Sequence, residues 1–303
     1  NFRAFGGGQG ITESQNFGGN YADKFGKTTD LSANYFYSGS NSENRSTNNR
    51  ENILPNSRYF TESESTSISD SDSHSANFEL DIEVDPTLLI NIRPSLRYSK
   101  STTVYTEAEK SFDTNNALLN ESSQDSYVEN IGRNFSNQLD ITKRFGTNGA
   151  LLKFSGNNQF NSTESDDYLN SETNFYQDSS RNTLRNQYTD VENGSRQFRS
   201  AVTYRLPLIG NEFFAEFQYA YSNNKQEDRR STFDVDPITG DYSVEDDFNT
   251  AQSTDFQYTN ETQTPSLEFE YRKQNWSASV ETSYIFRKLE NVDALRPELS
   301  LAR

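Results

Sequence analysis

The stretch TLLINIRPSLRYSK, residues 87–100, places Leu88, Ile90, Ile92, Pro94, Leu96 and Tyr98 on alternate positions. Between them stand Leu89, Asn91, Arg93, Ser95, Arg97 and Ser99, nearly all polar. A period of two marks a β-strand with one apolar face and one wet face. The alternation recurs along the chain. Residues 28–40 set Leu31, Ala33, Tyr35 and Tyr37 against Asp30, Ser32 and Asn34, and residues 76–84 set Phe78, Leu80 and Ile82 against Glu79, Asp81 and Glu83. Leu139 with Ile141, Leu152 with Phe154, and Val202 with Tyr204 and Leu206 repeat it. It returns in Phe213, Ala215, Phe217 and Tyr219, in Leu267, Phe269 and Tyr271, and in Trp276, Ala278 and Val280. With an opening strand around residues 11–25, the template predicts about ten strands. Pro94 is awkward inside a paired strand and predicts a bulge there.

The connections alternate in length. Short turns fall at residues 25–27, 85–87, 146–149, 208–211 and 273–275. Between them lie polar reaches, SGSNSENRSTNNRENILPNSR, FDTNNALLNESSQDS, YQDSSRNT and DVDPITGDYSVEDDFN, which read as long loops. Up-and-down outer-membrane barrels have this asymmetry, with short periplasmic turns and long extracellular loops.

Composition separates the candidate folds. Only 31% of the 303 residues are hydrophobic, the formal charge is −17, and the mean hydropathy is −0.95. Average soluble domains are roughly 45–50% apolar, so a two-layer core is hard to fill from this chain. Aromatics at 13% argue against disorder, which is poor in that class. Rows of five or six outward residues, at roughly 3.3 Å each and a tilt near 40°, match an apolar band of about 25 Å. Tyr37, Tyr98, Tyr221, Trp276 and Tyr284 end such rows, as interfacial girdles do. The expected fold is all-β, an antiparallel up-and-down transmembrane β-barrel with lipid outside and water inside. A soluble sandwich is the competing form, and it would seal the apolar rows against a second sheet. No apolar run approaches 18 residues, so no transmembrane helix is expected. Without a Met, the chain reads as a mature or internal segment, and the absence of Cys excludes disulfides and thiolate metal sites. The acidic balance argues against a nucleic-acid partner.

On the barrel reading Leu88, Ile90, Ile92, Leu96, Val202, Phe217, Phe269 and Trp276 face lipid. Glu79, Asp81, Arg93, Arg97, Arg199, Arg205, Glu216, Glu268, Glu270 and Arg272 face the lumen. Their bland role is cross-strand Glu–Arg pairing that holds the wall. Their functional role would be to grip a plug or line a substrate path. No catalytic group is expected. His74 is the single histidine, among Ser and Asp, with nothing to orient it as a base. Asp234, Asp236 and Asp241 suggest a calcium loop only faintly, because the terminal bidentate Glu of an EF-hand is missing, and a turn with solvated acids is the simpler reading. FGGGQG, residues 5–10, lacks the Lys-Ser/Thr of a phosphate loop. No metal and no cofactor are expected, and the chain is not read as an enzyme.

FGGGQGITESQNFGGNYADKFGKTTDLSANYFYSGS, VDPTLLINIRPSLRYSK and FDVDPITGDY resemble the Bacteroidetes outer-membrane β-barrel family, the barrel region of TonB-dependent-receptor-like proteins. The resemblance runs along nearly the whole chain. It implies a bacterial outer-membrane location and a parent with a plug domain and a barrel of about 22 strands. Residues 1–10 would be a Gly-rich lead-in and 11–303 about half of that barrel. The implied function is ligand uptake across the outer membrane, with outer-membrane lipid, the protein's own plug, an energy-coupling protein and surface lipoprotein subunits as partners. A structural or docking barrel without transport is the alternative, and a soluble acidic adhesin is a third.

Overall fold

The computed structural model describes residues 10–55, 57–236 and 238–302, so the Gly-rich lead-in lies, apart from Gly10, outside the described residues. The protein is a single antiparallel up-and-down sheet. Its strands are β1 (Ile11–Phe25), β2 (Thr29–Leu54), β3 (Ser57–Asp85), β4 (Leu88–Asp113), β5 (Leu118–Phe145) and β6 (Ala150–Phe175). They continue as β7 (Thr183–Ile209), β8 (Phe213–Asp234), β9 (Thr254–Lys273), β10 (Trp276–Ser283), β11 (Phe286–Asp293) and the short β12 (Leu301–Ala302). Each strand from β1 to β9 pairs with its sequence neighbour, and both β10 and β11 pair with β9.

β10 and β11 are one strand interrupted. Trp276 faces Lys273 and Phe286 faces Gln263, so the register is the same on both sides of the gap. Opposite the gap stands Pro265, which has no N–H to donate. Its carbonyl still accepts from the Tyr284 amide at 3.1 Å. Pro94 acts in the same way. Pairing between β3 and β4 skips Phe78 and Glu79, opposite Pro94 and Arg93, then resumes without a shift. The bulge expected at Pro94 is therefore absent. The missing donor costs one rung of the ladder and leaves the pleat intact, because proline's fixed φ is compatible with extended backbone. The irregularities in register fall instead between Glu83 and Asp85, at Ser111/Phe112, and between Pro207 and Ile209.

The tight turns lie between β1 and β2, β3 and β4, β5 and β6, β7 and β8, and β9 and β10. Gly26 and Gly210 adopt φ of 67° and 52°, a region open to glycine at no steric cost. At the β3–β4 turn, the Asp85 carboxylate accepts from the Thr87 amide at 2.7 Å, the Thr87 hydroxyl at 2.5 Å and the Leu88 amide at 3.0 Å. Lys143 Nζ stands 3.3 Å from the same side chain. The Thr87 contacts first, and then Lys143, hold the Asp85 carboxyl down at about 2.

At the other end the polar reaches are shorter loops than the sequence suggests. β2 and β3 pair continuously from Thr29/Ile82 to Leu54/Ser57, so residues 38–54 are strand. Ser122 to Ser126 likewise belong to β5. The physical reason is that an antiparallel ladder satisfies backbone groups whatever the side chains are, so hairpins continue where no apolar face demands it. A strand of 29 residues such as β3 is about 95 Å long. The remaining loops join β4 to β5, β6 to β7 and β8 to β9. In the last of these, residues 238–253 fold back on the sheet. Phe233 bridges to Phe248 and stacks beside Tyr242 and Tyr188, and Thr232 and Ser253 are fully buried there.

Successive pairings define one continuous row: Asp23, Leu31, Leu80, Ile92, Leu139, Gly156, Ser200, Tyr221 and Gln263. Leu31 lies two residues above its tight turn, Ile92 four, Leu139 six, Tyr221 eight and Gln263 ten. The strands are therefore staggered by about one residue per step. With a rise of 3.3 Å and a spacing near 4.8 Å, that stagger corresponds to a tilt of roughly 35°, within the range of closed barrels. Here the sheet is open, with β1 at one edge and, at the other, the β10–β11 strand, to whose end the short β12 adds.

Candidate functional site

Register decides which side chains share a face, because directly opposed residues of an antiparallel pair point the same way. Within about ten residues of the tight turns, one face is a predominantly apolar belt, interrupted by Asp23, Asn137, Lys143, Asn158, Ser200 and Gln263. Ile82 faces Ile90, Ile90 faces Ile141, Ile141 faces Phe154, and Phe154 faces Val202. Val202 faces Tyr219, Tyr204 faces Phe217, Ala215 faces Phe269, and Phe269 faces Val280. Leu88, Ile92, Leu96 and Trp276 share this face. All eight residues expected on the apolar face are on it, and all ten expected on the polar face are opposite.

No second layer covers the belt. Among the described residues the only buried hydrophobics are Phe214 and Phe233, and neither belongs to it. Phe217 and Val202 are 51% and 43% exposed, whereas the side chains of Arg205 and Glu270 on the opposite face are 16% and 21% exposed. That order is the inverse of a two-layer sandwich, in which the apolar face is sealed.

The polar face divides into paired and unpaired charges. Arg93 Nε donates to Glu79 at 2.6 Å. Asn91 donates to Asp81, and Asp140 accepts from Ser155 at 2.6 Å and Gln138 at 2.7 Å. Arg205 and Arg272 both reach Glu270 at 2.6 Å. The Arg205 guanidinium also lies 4.0 Å from the centre of the Phe214 ring, which explains why that phenylalanine is buried on a polar wall. These contacts are the wall-holding pairs of the bland reading. Arg97 and Arg199 differ, since neither forms an ion pair among the described residues. They stand among amides and hydroxyls: Arg97 faces Asn134 and Ser75, and Arg199 faces Asn157 and Ser222. Arg205, Glu216, Glu268 and Glu281 stand side by side in one row, so Arg205 faces only the first of the three carboxylates. Like charges directly opposite one another are unfavourable unless something cationic lies between them. A concavity of about 400 Å³ lies near the tight turns, lined in part by Asp30, Asp81, Asn91, Asp140 and Thr142.

His74 lies on the other face, at the rim of the apolar belt. Its Nδ1 is 2.7 Å from the Tyr35 hydroxyl, and the rings of Tyr35, Tyr37 and Tyr98 surround it. It belongs to an aromatic rim, with the Tyr35 hydroxyl as its hydrogen-bond partner. Asp234 ends β8, and Asp236 and Asp241 follow it in the loop. Asp236 accepts from the Ile238 and Thr239 amides at 2.7 and 3.2 Å, and Asp234 from Gln187 and Asn249 at 2.7 and 3.2 Å. Two of the three carboxylates are thus occupied in fixing the loop, and among the described residues no three potential ligands converge on a metal site.

Sequence reasoning missed the tyrosine row farther out, where Tyr127 faces Tyr168, Tyr168 faces Tyr188, and Tyr188 faces Phe233. Burial, then a 2.5 Å hydrogen bond to Asp166, keeps the Tyr188 phenol protonated well above its ordinary range. Only the long-range register brings these rings together. No protein-family model matches the chain, and a search of the curated proteins finds no match.

Proposed function

We propose that this chain is wall of a bacterial outer-membrane β-barrel of the TonB-dependent-receptor kind, which admits a polar ligand too large for porins. One observation carries the reading: a belt of apolar side chains, one face wide and ten strands long, left uncovered while the opposite face is charged and paired. Water would penalise such a surface, and hydrocarbon favours it. The stagger of about one residue per strand agrees with a barrel tilt. Two open edges are not tolerated in lipid, so further strands complete the wall, as a parent of about 22 strands requires. Arg97, Arg199 and the opposed Glu268 and Glu281 favour uptake over a purely structural barrel. A wall with no occupant has no use for unpaired charges on its inner face.

Two measurements test this. Single cysteines at 90, 92 and 96 in the full-length protein should react only with lipid-soluble thiol reagents in membranes, and those at 93 and 97 only with aqueous ones. Equal aqueous labelling at all five removes the barrel. The full-length protein in a planar bilayer should then give large conductance steps once urea loosens whatever fills its interior. A bilayer-inserted protein that never conducts would leave the docking role in place of transport.

A further inference from the structure

The polar face changes character at one level. Arg97 lies nine residues from Leu88 and Arg199 ten from Ile209, so both stand at the distal margin of the belt on the opposite face. Three successive registers cross the sheet here, from the one through Arg93 and Arg199 to the one through Arg97. Among the described residues Glu79 is the only carboxylate in them, and Arg93 holds it at 2.6 Å. Most of the other positions are Ser, Thr, Asn or Gln. The next register toward the tight turns is acidic, with Asp30, Asp81 and Asp140, and the next one outward carries Asp228 and Asp293.

Arg97, Arg199 and Arg287 are exposed in this band, and none of them forms an ion pair among the described residues. Arg287 faces Thr262, as Arg97 and Arg199 face amides and hydroxyls. A chain with 45 acidic and 28 basic residues would by composition set more carboxylates than cations here, and the order is reversed. The neutral groups between the arginines are held in place. Asn134 donates to Asn161, and Asn161 donates to the Ser195 hydroxyl at 2.9 Å. On the other side of Arg97, Ser95 donates to Asn77 at 2.6 Å and Asn77 to Asn34 at 2.8 Å. Arg199 is three strands from Arg97 and three from Arg287, about 14 Å across the sheet in each direction at a spacing near 4.8 Å.

We propose that this band binds an elongated polyanion, whose carboxylate or phosphate groups are separated by neutral hydrogen-bonding groups. The guanidinium fork suits either oxyanion, and the fixed amides and hydroxyls between the arginines suit a neutral frame. The acidic registers on both sides repel the same ligand, so the field of the wall sets its depth. The level is the distal margin of the belt, where a ligand arriving from outside first meets the membrane-spanning wall. This rests on the polar face being the lumen of an uptake barrel, as proposed above.

The test titrates full-length protein in detergent, by calorimetry, with three probes: oligogalacturonate, its uncharged methyl ester, and a polyphosphate of similar length. Wild type should bind at least one of the two anions, and the ester roughly tenfold more weakly or not at all. The tighter anion tells carboxylate from phosphate as the group recognised. Arg97→Gln with Arg199→Gln should weaken that binding roughly tenfold. Arg196→Gln with Lys225→Gln, the same loss of charge on the opposite face, should leave it unchanged. Circular dichroism confirms that each variant keeps its strands. Equal affinity for acid and ester, equal affinity of wild type and the Arg97/Arg199 variant, or an equal loss in the control overturns the anion band. So does a wild type that binds neither anion. If the Arg97/Arg199 variant then conducts at lower urea, the arginines hold the protein's own plug instead. Conductance steps in a wild type that binds no probe keep the uptake reading, and a protein that neither binds nor conducts loses both.

Discussion

The two ends of this sheet use the same ladder for different purposes. Near the tight turns the strands carry strict alternation, with the apolar face uncovered and the polar face tied by Arg93–Glu79 and Arg205–Glu270. Toward the other end both faces are polar, and stability gathers in one local core where Phe233 is 7% exposed beneath the 238–253 loop. The difference teaches that strand length and strand function are set separately. Backbone pairing extends the hairpins, whereas side-chain alternation fixes the level at which they meet an apolar environment.

The sharpest way to break the comparison is one substitution made at both levels. Ile92→Arg in the belt should cost roughly 2–4 kcal/mol in urea titrations of the membrane-reconstituted protein. Ile68→Arg, on the same face but seventeen residues from Asp85, should stay within about 0.5 kcal/mol. Equal costs would erase the distinction between the two regions. Phe233→Ala probes the distal region in turn. It should cost roughly 2–3 kcal/mol, somewhat below the usual range because the site opens toward solvent on one side. The expected readout is rapid proteolysis within 238–253 while the belt strands stay protected. Global unfolding instead would mean that the two regions are one cooperative unit.

A smaller effect is expected on the polar wall. Arg205→Met should cost about 1–2 kcal/mol, less than for a fully buried pair, because Arg272 still holds Glu270. The same substitution at Arg97 should leave stability unchanged, since that arginine has no ion pair to lose among the described residues. The smallest effect belongs to the β3–β4 turn. Asp85 is depressed from 3.8 to about 2, so its contribution to stability is present above pH 4 and fades as pH falls toward 2. Asp85→Asn should flatten that part of the stability–pH curve, and an unchanged slope would mean that the Thr87 and Lys143 contacts do not form in solution.

Much of the belt was legible in residues 87–100 and their counterparts, because face parity is a local property. Once a segment is extended, Ile92 and Arg93 must point opposite ways whatever the rest of the chain does. The sequence alone therefore determined the all-β class, the approximate strand number and the membership of both faces. It could not show that residues 38–54 continue as strand, since uniformly polar segments have no period to read and their pairing depends on a partner far along the chain. It could not rule out a bulge at Pro94, or separate Arg97 and Arg199 from the arginines with partners. Nor could it gather Arg97, Arg199 and Arg287 into one band with Glu79 as its only carboxylate among the described residues. Those facts depend on the register between strands, a non-local quantity fixed by where each hairpin turns and by which backbone donors are missing. Alternation within a strand is written in the sequence, whereas the meeting of one strand's charges with the next was decided only when the sheet assembled.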